Sequence, residues 1–261
     1  MNPLDFVGTP DWRSAVLAVA FALPWLLLLV GRWLRRPWVW VVIVLGAALF
    51  PVSIGWIQVP IQQAINALYV QHVPPETLQR YALLAAVPLV LIAGLVQEVV
   101  KFIDAVGGLF LVRARHVPAV GLALGAAAGA GYGAMEAFWV FNQIFAAGFT
   151  WATVQLGGIA ALAGFIERFF TVMFHTAVVA LAAYGYATRR PWRYLLLAIA
   201  LHTLVDYLVP LLQYGVITSV ETQILVGLVS AAAMVAALWV GRRVRHVSGS
   251  VDSDSPAPPL Q

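Results

Sequence analysis

Apolar residues in this chain run in long unbroken stretches, separated by short clusters of Arg, Pro and Gly. Neither the alternation of a half-buried strand nor the stripe of a surface helix dominates. A bilayer core of about 30 Å needs roughly 20 apolar residues per helix. Seven stretches meet that need: Ser14–Val30, Trp38–Ile57, Ala82–Leu111, Pro118–Ala146, Trp151–Ala187, Tyr194–Tyr214 and Thr222–Val240. The fifth is too long for one straight crossing, and Gly157-Gly158 predicts a break or a re-entrant start there. The pattern predicts an all-α polytopic membrane helix bundle of about seven transmembrane helices, forming one integral domain over residues 1–247. Val59–Gln79, with Pro74-Pro75 and mixed polar residues, reads as a short helix along the outer interface. Ser248–Gln261 is rich in Ser, Asp and Pro and reads as a disordered cytoplasmic tail. There is no internal repeat of the kind that marks many secondary transporters.

Composition agrees. The chain is 62% hydrophobic and 10% charged, against roughly 45–50% and about 25% for soluble domains. A water-facing surface cannot be covered with so little charge, and a disordered chain is not this apolar. The absence of Cys excludes disulfides, a thiolate zinc site and a Cys nucleophile. The net charge of +4 gains meaning from its placement. Arg32, Arg35, Arg36, Arg113, Arg115, Arg189, Arg190, Arg193, Arg242, Arg243 and Arg245 all fall on one side of the predicted spans, and Arg13 and Arg80 on the other. The positive-inside rule then sets the N-terminus outside and the C-terminus inside. Asp5 and Asp11 precede the first stretch and arginines follow it, the reverse of a cleaved signal peptide. A nucleic-acid role has no support left.

Ionisable groups at bilayer depth are costly, so each marks a candidate site. The third stretch carries Gln97, Glu98, Lys101 and Asp104; the fourth Glu136 and Asn142; the fifth Glu167, Arg168 and His175; the sixth His202 and Asp206. Counting 1.5 Å per residue from the inner basic flank places Glu98, His175, His202 and Asp206 at roughly 22, 21, 13 and 20 Å, with Glu136 and Glu167 higher at roughly 30 and 33 Å. Glu98 and Lys101 are i,i+3 neighbours, His202 and Asp206 are i,i+4 neighbours, and Glu167, Thr171 and His175 share one face. Gly125, Gly129, Gly133 and Ala137 form a small-residue stripe that admits a close neighbour. Structural readings exist beside these. Glu98 with Lys101, or Glu167 with Arg168, could simply neutralise each other, Asp104 could pair with Lys101 or Arg113, and Asn142 could serve as hydrogen-bond glue.

The chain lacks a His-Glu-x-x-His zinc helix, a Gly-x-Ser-Gly nucleophile within a span and a Gly-x-Gly-Asp motif. Carboxylate and imidazole together can activate water and stabilise an oxyanion. The same donors can also hold a divalent metal such as zinc. Gln97-Glu98-Val99-Val100-Lys101 resembles the Glu-Glu-x-x-Lys motif of PrsW-type intramembrane proteases. The run from Gly129 to Ala137, with Glu136, is similar to the Gly-x-Gly-x-x-x-x-Glu helix of the PrsW and YhfC families. Glu167-Arg168 followed by Phe174-His175 resembles YhfC most, and His202 with Asp206 resembles the closing His-x-x-x-Asp/Asn motif of the wider CAAX-protease superfamily. The similar region spans about residues 94–210.

The resemblance implies a glutamic-type intramembrane peptidase of the bacterial plasma membrane, acting on membrane-embedded or membrane-associated proteins or peptides. It implies Glu98 as the base that activates water, and His202 and His175 as groups that position it or stabilise the oxyanion. Glu136 would be a second acid and Asp206 would orient His202, with Gln97, Lys101, Glu167 and Arg168 in support. Gln97 departs from the family pattern, which has Glu there. The competing classes are a proton- or cation-coupled transporter, and a non-catalytic scaffold derived from the protease fold.

Overall fold

The computed structural model describes residues 9–253, and no strand occurs among them. Chain order gives α1 (Trp12–Leu29), α2 (Pro37–Ser53), α3 (Val59–His72), α4 (Pro75–Arg80), α5 (Ala82–Leu111), α6 (Pro118–Ala146), α7 (Trp151–Gly157), α8 (Ala163–Ala187), α9 (Pro191–Gln213) and α10 (Ser219–Ser253). Local chemistry sets several of the ends. Asp11 caps α1 by accepting from the Arg13 backbone N–H at 2.8 Å. Hydrogen bonding to the Arg13 side chain holds the Asp11 carboxyl below its usual range. Proline opens α2, α6 and α9, where its missing N–H is harmless.

The protein is a polytopic membrane helix bundle. Among the described residues, six helical stretches are long and apolar enough to cross a membrane: Trp12–Leu29, Pro37–His72, Ala82–Leu111, Trp151–Ala187, Pro191–Gln213 and Ser219–Val244. The remaining predicted span is present as α6, a helix of 29 residues. Gly and Ala dilute its hydropathy, and it needs less because neighbouring helices rather than lipid surround it. Its residues from Val120 to Gly133 are all buried.

Two boundaries differ from the sequence reading. The second span does not stop near Ile57. It passes through one π-helical turn, Ile54–Gln58, into α3, and together they make a continuous helix of 36 residues. The wider turn accommodates Pro60, whose ring would clash with an α-helical carbonyl four residues back. Residues 59–72 therefore do not form a separate interfacial helix. They run beside the start of α5, tied by Gln62 Nε2 donating to the Leu89 carbonyl at 2.9 Å. The fifth span does break at Gly157-Gly158: Gly158 takes φ +60° and a 3-10 turn, Gly158–Leu162, leads into α8. The expected tail from Ser248 begins inside α10, whose backbone runs to Ser253 because no proline intervenes before Pro256. Residues 254–261 lie outside the described residues.

The core is built around α6. One face is the small-residue stripe, packed on α8. A methyl group on Gly125 or Gly129 would overlap the carbonyl oxygens of Val179 or His175. On another face Gly131 lies so close to Ile43 of α2 that a methyl there would overlap its carbonyl. With α2 and α8 on either side, α6 presents Tyr132 and Glu136 at the centre. Gly94 on α5 similarly admits Thr203 of α9. Close approach of backbones is what brings four charged helices within side-chain reach.

Candidate active site

The centre is a chain of contacts across α5, α6, α8 and α9. Glu98 on α5 is buried, and its Oε1 accepts from Lys101 Nζ at 2.6 Å and lies 2.6 Å from His202 Nδ1. Lys101 Nζ also lies 2.8 Å from His175 Nδ1 on α8. His175 Nε2 is 2.7 Å from Glu136 Oε2 on α6. Arg168 donates to Glu136 Oε1 and to Glu167 Oε1, each at 2.5 Å. His202 Nε2 faces Asp206 Oδ2 at 3.5 Å, one turn along α9. Glu98, Lys101, Glu136, Glu167, Arg168, His175, His202 and Asp206 thus form one continuous network.

Glu136 and Glu167 stand in this network and not in a separate outer layer. Counting residues from the basic flank treats every helix as upright and level, which transmembrane helices with a tilt of about 20° do not respect. Asp104 differs too. It pairs with neither Lys101 nor Arg113, because Lys101 turns to Glu98 and His175. Its buried Oδ2 has no hydrogen-bond partner and lies toward Gly46 of α2. Asn142 accepts from the Asp11 backbone N–H at 3.1 Å, tying the start of α1 to α6.

A cavity of about 40 Å³ opens on one side of the network. Its walls include Glu136, Glu167, Arg168, His175, His202 and Asp206, with Thr171, Phe174 and apolar residues of α9 and α10. Glu98 does not line it. Its side chain is wholly covered, whereas those of Glu167 and Asp206 keep 29% and 30% exposure. Glu98 therefore meets the cavity only through His202.

Donor rules fix the imidazole tautomers. An ammonium can only donate, so His175 Nδ1 accepts from Lys101 and its Nε2 carries the hydrogen given to Glu136. A carboxylate accepts, so His202 Nδ1 donates to Glu98, and the neutral ring keeps its lone pair on Nε2. At 3.5 Å, Asp206 lies beyond ordinary hydrogen-bond length. Both nitrogens of His175 are engaged, while His202 presents a free one. The network also carries four carboxylates, Glu98, Glu136, Glu167 and Asp206, against two fixed cations, Lys101 and Arg168.

Ligand atoms of Glu98, His175 and His202 lie within 4.8 Å of one another, the spacing of a metal site. The residues do not fit a divalent ion. Lys101 Nζ already bonds both Glu98 Oε1 and His175 Nδ1, and a second cation on those atoms would stand against the ammonium. The lysine fills the cation position itself.

Two contributors escape sequence reasoning. Tyr132 is fully buried, shares a 2.9 Å hydrogen bond with Ser53, and places its ring under Lys101 Nζ at 4.9 Å from the centroid. Its signal is a lone phenol in a run of Gly and Ala. Gln58, in the π turn, accepts from Gln97 Nε2 at 3.0 Å. It lies one residue past the predicted end of the second span. Gln97 thus points to the π turn and away from the cavity. No protein-family model, curated protein or solved structure matches this chain.

Proposed function

We propose that this protein is an intramembrane peptidase of the glutamic type, related to the PrsW and YhfC group, and that His202 is its immediate base. The observation that carries the reading is the free Nε2 of His202 on a polar cavity wall, with the ring locked behind by a buried carboxylate. A water in the cavity gives a proton to His202 Nε2 while its oxygen attacks the peptide carbonyl carbon. The imidazolium is stabilised by Glu98 on one side and Asp206 on the other. Negative charge on the carbonyl oxygen is met by Arg168, whose guanidinium has five N–H donors and commits two to Glu136 and Glu167. His202 then passes its proton to the departing amine, the C–N bond breaks, and an amine and a carboxylic acid leave.

Glu98 is in this reading a positioning residue acting through His202. Glu136 holds both Arg168 and His175, and Lys101 holds Glu98 and His175 together. The excess of arginine at one set of helix ends supports an N-terminus outside and a C-terminus inside. The bilayer is the medium and a membrane-embedded or membrane-associated peptide is the substrate. The test is a comparison of new peptide N-termini in membranes containing wild-type protein and membranes containing His202→Ala at equal abundance. Termini within or beside apolar segments, present only with wild type, support peptide hydrolysis. Identical sets of termini overturn it.

A further inference from the structure

The turn between α1 and α2 gathers charge that the peptidase reading leaves unused. Gly31 takes φ +50° and a 3-10 turn, Gly31–Arg35, follows before Arg36 returns to extended backbone. That turn sets Arg32, Arg35 and Arg36 around one open cavity of about 510 Å³, with Trp33 as the fourth wall. It is tied down by Trp40 Nε1 donating to the Leu34 carbonyl at 2.8 Å and by contact of the Trp33 and Trp38 rings at 5.7 Å. None of the three guanidiniums has a carboxylate partner among the described residues; the ion pairs present involve Arg13, Lys101, Arg168, His175 and His202.

A second cavity, of about 240 Å³, shares Arg32 and Trp33 with the first. Its other walls are Leu27 to Gly31, Ala119 and Leu122 at the start of α6, and Gly241 and Val244 of α10. Among the described residues, Arg32 is the one charged side chain lining it. The two cavities meet to form a slot between α1, α6 and α10, apolar along one part and crowned by three uncompensated cations. It lies at the helix ends, where lipid headgroups stand, and Trp33 marks the boundary. A free phosphate would use the arginines and leave the apolar part empty. A lipid with a phosphodiester headgroup uses both.

We propose that this slot is a binding site for an anionic phospholipid, its phosphate held by Arg32, Arg35 and Arg36 and an acyl chain lying along Leu27, Ala119 and Leu122. The full-length protein is tested in phosphatidylcholine nanodiscs containing phosphatidylglycerol, with retained lipid read by native mass spectrometry. Wild-type protein should retain phosphatidylglycerol over phosphatidylcholine. Each arginine near a membrane surface contributes about fivefold, so Arg32→Gln/Arg35→Gln/Arg36→Gln together should lower retention about a hundredfold. Because those arginines also set topology, Ala119→Phe is the companion variant: it keeps every charge and fills the apolar part. It should weaken phosphatidylglycerol retention while inorganic phosphate binding is unchanged. Unaltered lipid retention in Ala119→Phe overturns the proposal. So does displacement of phosphatidylglycerol by millimolar glycerol phosphate, which would assign a plain phosphate site.

Discussion

The Glu98–Lys101 contact makes a quantitative prediction. Both side chains are wholly buried, 2.6 Å apart, on adjacent turns of α5. Glu98→Gln leaves an ammonium with no counter-charge except the lone pair of His175. Lys101→Met leaves a carboxylate held by His202 alone. Breaking a buried pair from one side costs about 3–5 kcal/mol, because the surviving charge stays out of water. The double variant Glu98→Gln/Lys101→Met leaves no buried charge at that point. The amide oxygen can still accept from His202 Nδ1, so the double variant should lose only about 1–4 kcal/mol. Additivity would give about 6–10 kcal/mol, and the difference implies a coupling of at least about 2 kcal/mol. Reversible unfolding of all four proteins in detergent micelles, by near-ultraviolet circular dichroism against denaturant, reads this cycle. Additive single losses would refute the pairing of these two charges. The double variant should also be inactive, because a neutral amide cannot stabilise an imidazolium at His202.

Other outcomes follow from the same geometry. His202→Ala should lower peptide hydrolysis, per folded protein, by about 10²–10⁴-fold, the usual contribution of a general base; a fully active variant would remove His202 from the reaction. Gln97→Glu should not raise activity, because the new carboxylate faces Gln58 and not the cavity; a clear gain in turnover would contradict that placement. Gly129→Ala should destabilise by about 1–3 kcal/mol, since its methyl overlaps the His175 carbonyl and forces α6 from α8; unfolding measurements test it. In this cysteine-free chain, Asp206→Cys and Glu167→Cys should react with a water-soluble maleimide and Glu98→Cys should not, because only the first two positions line the cavity.

Much of the architecture is legible in the sequence because the bilayer leaves few choices. Long apolar runs give the helices, and buried charges are few enough to single out. Glu98 with Lys101 and His202 with Asp206 are readable because helical spacing fixes such pairs locally. What sequence spacing does not contain is the join between helices. Residue counting separates Glu136 from His175 by about a turn and a half, yet tilt and side-chain length bring them to 2.7 Å. It also cannot tell that Glu98 is hidden behind His202, since counting sets the two about 9 Å apart in depth and only packing decides which meets the cavity. The π turn escapes because its cause, Pro60, reads equally well as the end of a span.

The two strongest charges of the network enter the bilayer with their counter-ions already on the same helix: Lys101 travels with Glu98 on α5, and Arg168 with Glu167 on α8. Each helix can leave the translocon as a locally neutral segment, before its later partners have been synthesised. Glu136 on α6 has no such escort on its own helix and meets Arg168 and His175 only across helices. Those contacts form only when α8 packs against α6, so the charges of the proposed site are paired late in assembly.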